Sequence, residues 1–148
     1  SWPLLLLVLC FNWGILVGSS IYNKHLFSIE LFFFYAGSVL FTIGYDTIYG
    51  YQDLKDDQII GIKSTSLKFK NKPKLFLFNI YMSAFILWIS SLYFFNKSSL
   101  TMLLVTICCL IILIKVLNTN VNIVIDCMKT FNYNSYFSLA IMIILVAS

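Results

Sequence analysis

SIELFFFYAGSVLFTIGYDTIYGYQDLKDD, residues 28–57, is an apolar run that ends in carboxylates. The run up to about Gln52 is long enough to cross a hydrocarbon core of roughly 30 Å at about 1.5 Å per helical residue. It therefore predicts a spanning helix whose polar end lies at a membrane surface. Of the six acidic residues in the chain, Asp46, Asp53, Asp56 and Asp57 fall within positions 45–57. On a continuous helix at about 100° per residue, Asp46, Tyr49, Asp53 and Asp57 lie within roughly 80° of one another. Such a stripe repels itself unless a cation sits in it. Mg²⁺ suits it, because that ion takes hard oxygen ligands and commonly shares its coordination with phosphate. Lys63, Lys68, Lys70, Lys72 and Lys74 follow, so metal and anion could be held side by side. The pattern points to diphosphate chemistry at a membrane.

Composition agrees with that setting. The chain is 60% hydrophobic and 11% charged, with a mean hydropathy of +0.90, which excludes an ordinary soluble domain. Five spanning helices are predicted, at about 2–21, 28–52, 75–95, 100–117 and 133–147. Helices are required because a backbone in lipid must pair its polar groups internally, and no alternating ten-residue pattern argues for a barrel. The fold class is thus an all-α polytopic membrane protein, partnered by the lipid bilayer and by no nucleic acid. Gly14-x-x-x-Gly18 would let a neighbouring helix approach closely. Cys10, Cys108, Cys109 and Cys127 lack metal-binding spacing and read as small hydrophobes. The opening at Ser1, with no charged segment ahead of the first apolar run, reads as an internal cut.

Six of the ten lysines lie between positions 53 and 74, and Lys115 and Lys129 fall at helix ends on the same side. Lys24 and Lys97 lie opposite. This asymmetry places the aspartate loop on the cytoplasmic side of a bacterial inner membrane or, alternatively, the matrix side of a mitochondrial one. Lys68 to Lys74 read as this positive-inside bias together with contact to anionic lipid, and Lys115 as a snorkelling side chain. His25 reads as an ordinary loop residue, and Trp88 as lipid-facing or interfacial.

Tyr45-Asp46-Thr47 with Tyr49, then Asp53-x-x-Asp56-Asp57, then Gly61-Ile62-Lys63-Ser64-Thr65 resemble the second aspartate-rich motif of the UbiA superfamily of intramembrane prenyltransferases. Phe11-Asn12-Trp13-Gly14 and the stretch from Cys127 to Asn134 resemble family segments more loosely. Within the superfamily the resemblance is nearest to members that prenylate 4-hydroxybenzoate for ubiquinone. It implies a Mg²⁺-dependent transfer from polyprenyl diphosphate to the 4-hydroxybenzoate ring, in a bundle of nine helices.

It also implies roles for residues. Asp53 and Asp57 would bind metal and Lys63 the diphosphate. Tyr49, on the same stripe, reads equally as a hydrogen-bond donor to a diphosphate oxygen and as an interfacial aromatic. Asp46 would reach a second Mg²⁺, hold Tyr49 or take a proton, a site role its costly position in the apolar zone also favours. The first aspartate-rich motif, of Asn-Asp-x-x-Asp type, is not in this sequence. Residues 1–148 are therefore expected to be a C-terminal half whose partner is the N-terminal half of the same enzyme.

Other readings are a prenyltransferase for another aromatic acceptor, and a non-catalytic transporter or channel fragment with a lipid-binding basic loop. A solvated loop whose carboxylates balance nearby lysines is the bland alternative to the metal site. A CDP-alcohol phosphotransferase fails because the chain has no arginine.

Overall fold

A computed structural model describes residues 2–22, 28–54, 57, 59, 61 and 64–148, with the backbone alone at 2–5, 7, 11 and 19–22. Those residues form five long helices and one short one: α1 Trp2–Tyr22, α2 Ile29–Gly50, α3 Thr65–Lys68, α4 Pro73–Phe94, α5 Ser99–Asn118 and α6 Val124–Ala147. Helices α2, α4, α5 and α6 are each long and apolar enough to cross a membrane. Helix α1 has 21 residues, none of them charged. An all-helical membrane bundle is what the sequence predicts.

The helix starts follow local chemistry. Ser28 caps α2 by accepting from the Leu31 amide, and Ser98 caps α5 by accepting from the Thr101 amide. Helix α4 opens on Pro73, whose missing N–H costs nothing at a first helical position.

Helix α2 is the hub. It packs chiefly against α4, with α1 and α6 on its other sides, while α5 joins α4 to α6. Lipid tails are as apolar as leucine, so close packing and internal hydrogen bonds must hold such helices together. Two glycines allow the closest approach. A Cβ at Gly37 would lie 2.6 Å from Trp88 Cδ1 and 2.9 Å from the Ala84 carbonyl, and one at Gly44 would lie 2.7 Å from Tyr81 Cε2. At Gly14 and Gly18, which the sequence singles out, a Cβ meets nothing within 4 Å among the described residues.

Aromatic rings fill the space between α2, α4 and α6. Phe41 touches Tyr81, Trp88 and Phe137 at centroid distances of 5.6, 5.2 and 5.3 Å. Pairs of this kind add about 0.5–1.5 kcal/mol each beyond their burial. Trp88 is buried, not lipid-facing as its type suggests. Its indole N–H donates to Ser38 Oγ at 3.1 Å and to the Phe34 carbonyl at 3.2 Å, satisfying its polar group inside the bundle.

Helix α6 begins at Val124, about nine residues before the predicted 133. Polar residues in its first turns mask the helix in the sequence, yet several are paired within the bundle. Asn134 accepts from the Tyr81 hydroxyl at 2.8 Å and donates to the Thr130 carbonyl at 2.9 Å. The Thr130 and Thr119 hydroxyls are 2.6 Å apart, tying α6 to the end of α5.

Candidate active site

The last turns of α2 and the loop beyond them carry most of the predicted site residues. Regular helix ends at Gly50, where the Tyr51 amide donates to both Thr47 O at 3.1 Å and Ile48 O at 3.3 Å. The Gln52 amide reaches back only to Tyr49 O, at 3.0 Å, which tightens the end into a 3₁₀-like turn. The unbroken helix assumed for a stripe from Asp46 to Asp57 is therefore interrupted. A further helical turn follows, in which the Asp57 amide donates to Asp53 O at 2.9 Å. Asp53 and Asp57 thus sit four residues apart across one turn, the spacing that puts side chains on a common face. Asp53 is exposed and Asp57 half-buried.

Asp46 is half-buried on α2, and Tyr49 is exposed on its next turn. Tyr49 packs on Phe131 of α6 at 5.2 Å, and Tyr45 meets the same ring edge-on at 5.7 Å. Among the described residues no three His, Cys, Asp or Glu side chains gather as a metal-binding set. Two carboxylates one turn apart still suit Mg²⁺, which commonly takes one or two carboxylates and completes its shell with water and phosphate. Lys63 and His25 lie outside the described residues, as do Lys24, Lys55 and Asp56.

The tail of the motif has a structural job the sequence does not reveal. Ser64 caps α3 by accepting from the Leu67 amide at 3.3 Å. Buried Ser66 then donates to the Thr47 carbonyl of α2 at 3.2 Å, so the chain beyond the aspartates is folded back on the helix end. Gly50 makes this possible, because a Cβ there would collide with Ser66 Oγ. The neighbouring Tyr51 hydroxyl and Gln52 Nε2 are buried and have no hydrogen-bond partner among the described residues. Burial, with Cys127 close by, pushes the Tyr51 phenol up to about 12, so it stays a neutral donor at working pH.

A cavity of about 390 Å³ opens among α1, α2, α4 and α6. Phe34, Phe41, Tyr45 and Trp88 form much of its wall, with Asn12, Ser38 and Thr42 as polar points. Asn12 donates to Thr42 Oγ1 at 3.1 Å and to the Val8 carbonyl at 2.9 Å. Tyr45, on the cavity wall, precedes Tyr49 by four residues, so one face of α2 leads from the cavity to the helix end after which the carboxylates follow. Of the successive rings Phe32, Phe33 and Phe34, Phe32 is exposed and Phe33 stacks on Phe94 at 5.7 Å. Of the three, only Phe34 lines this cavity.

The helix that lines the aromatic cavity is thus followed in sequence by the carboxylate-bearing segment. Residues 1–136 match the profile of the UbiA prenyltransferase family, and the chain belongs to that family. Over 84 residues it is 46% identical to "4-hydroxybenzoate polyprenyltransferase, mitochondrial" of Homo sapiens, covering 55% of this chain and 22% of that protein. The likewise named proteins of Rattus norvegicus and Aedes aegypti are 45% and 43% identical over 76 residues, or 51% of this chain and 20% and 17% of theirs. The chain thus matches about a fifth of the length of these relatives. No solved structure matches.

Proposed function

We propose that this chain is the C-terminal part of a Mg²⁺-dependent enzyme that transfers a polyprenyl group from its diphosphate to the ring of 4-hydroxybenzoate. The observation that carries the reading is the run of one helix, α2, from an aromatic cavity to a carboxylate loop. Asp53 and Asp57 would hold the metal. When bound there, Mg²⁺ supplies charge neutralisation for the departing diphosphate. Lys63 would add a point charge to the same anion, and Tyr49 a hydrogen bond. Asp46, whose half-burial in a spanning helix favours a working role, is assigned the ring proton. The rings of Phe34, Phe41 and Trp88 exclude water and offer π faces to an allylic cation, which water would otherwise quench.

The further carboxylates that such chemistry needs are assigned to a first aspartate-rich motif outside residues 1–148. Two assays test the function. The full-length protein containing this chain should convert polyprenyl diphosphate and 4-hydroxybenzoate to prenylated product, and EDTA should abolish it. Residues 1–148 alone should give no product, whereas co-expression with the rest of the protein should restore it. Product that survives EDTA, or robust turnover by residues 1–148 alone, would falsify the reading.

The aspartate loop is assigned to the cytoplasmic or matrix side. The lysine count supports this, because six of the ten lie between positions 53 and 74. A cysteine placed at Lys68 should resist a membrane-impermeant label added from outside, and one at Lys97 should react. Strong outside labelling at position 68 inverts the topology.

A further inference from the structure

Helices α5 and α6 enclose a second cleft, of about 380 Å³, away from the aspartate loop and built in a different way. Its walls are apolar along most of their length, with Ile111 on α5 and Phe137 and Ala140 on α6. Its other end carries Lys115, Tyr133 and Tyr136. The two helices run in opposite directions, so Lys115 near the end of α5 meets Tyr133 near the start of α6. From Lys115 inward to Cys108, and from Tyr133 inward to Ala140, each wall descends about 10 Å into the bilayer. The cleft is therefore graded, with a cation and phenols at the surface and hydrocarbon below.

Lys115 does more than snorkel. Its ammonium sits 4.9 Å from the centre of the Tyr133 ring, which holds it at the mouth of the cleft. It is half-buried, and among the described residues no carboxylate pairs with it. A lysine near the end of a spanning helix keeps its ammonium at the interface, where an anionic group can reach it. Lys129 lies one turn before Tyr133 on α6 and Asp126 one turn before Lys129, so that pair adds no net charge and Lys115 is the cation that marks the mouth. Basic pockets between spanning helices are suited to lipid head groups on the cytoplasmic or matrix face.

We propose that the α5–α6 cleft binds an anionic phospholipid, its phosphate at Lys115 and one acyl chain against Ile111, Phe137 and Ala140. The net negative charge is what selects it, since the Lys115 ammonium attracts a phosphate and repels the amine of a zwitterionic head group. The site is separate from the carboxylate loop, and the inference does not depend on the reaction assigned there.

Native mass spectrometry of the full-length protein tests it, using micelles with equal phosphatidylglycerol and phosphatidylcholine of matched chains. The bound lipid should favour phosphatidylglycerol by about fivefold, the order expected for one lysine near a membrane surface. Lys115→Gln should bring the ratio close to one, and Lys115→Arg should keep it, separating lost charge from lost fold. Ala140→Trp, which fills the slot and leaves the cation in place, should also remove the preference. A wild-type ratio near one, or an unchanged ratio in Lys115→Gln or Ala140→Trp, overturns the proposal. So does displacement of phosphatidylglycerol by an equal concentration of farnesyl diphosphate, which would give the cleft to an isoprenoid diphosphate.

Discussion

Replacing Asp53 or Asp57 by alanine in the full-length protein is expected to lower prenyl transfer by at least about 100-fold, the usual cost of losing one preorganised electrostatic contact. The two carboxylates sit across a single turn, joined by the Asp57 amide bond to Asp53 O at 2.9 Å. Under the proposed function these are the two described residues of this loop that hold the metal, so either substitution removes half of that pair. Excess Mg²⁺ should recover part of the activity, because the remaining carboxylate still binds the ion weakly. Lys97→Ala is the control: its ammonium reaches only Ser148 Oγ, at 3.1 Å, far along the chain from the aspartates. Near-normal turnover by both aspartate variants at limiting Mg²⁺ would remove these residues from the site.

Gly37→Ala should destabilise the bundle by about 2 kcal/mol, although alanine is the better helix former. The added methyl would lie 2.6 Å from Trp88 Cδ1 and 2.9 Å from the Ala84 carbonyl. The carbonyl is backbone and cannot rotate away. Trp88 is fixed by hydrogen bonds to Ser38 Oγ and the Phe34 carbonyl, and by packing on Phe41 and Phe137. Overpacking of this kind costs about 3 kcal/mol, and better helix propensity returns about 1 kcal/mol. Unfolding of the purified protein in detergent, by heat or denaturant, measures the balance. A Gly37→Ala protein as stable as the parent would mean that α2 and α4 do not approach so closely. Gly14→Ala meets no atom within 4 Å and carries only the propensity gain, so its effect should have the opposite sign.

These two positions also show what the sequence could and could not tell. Apolar run length located α1, α2, α4 and α5 to within a few residues, because the bilayer imposes a length that composition reveals directly. It failed at the start of α6, where Asn134 and Thr130 look like surface residues but bond to Tyr81 and Thr119 inside the protein. Glycine spacing pointed to Gly14 and Gly18, whereas the close contact belongs to Gly37 and Gly44. Seven residues apart, those two lie on one face of α2, but only the partners Ala84, Trp88 and Tyr81 reveal that the face is used. Asp53 and Asp57 were legible as a pair from spacing. The end of regular helix at Gly50, which breaks their line with Asp46, was not, because it depends on Ser66 folding back from sixteen residues further on.

That fold-back has a thermodynamic side. The bond between Ser66 and the Thr47 carbonyl joins residues 19 apart and closes the aspartate segment into a ring. The length-dependent entropy lost on closing such a ring is about 2–3 kcal/mol. It is lost once, when the protein folds, and is offset by the packing of α3 on α2. A ligand that arrives later meets a segment whose ends are already fixed and need not supply that entropy again. Under the proposed function, part of the affinity for metal and anion would thus be set by a serine and a glycine that touch neither.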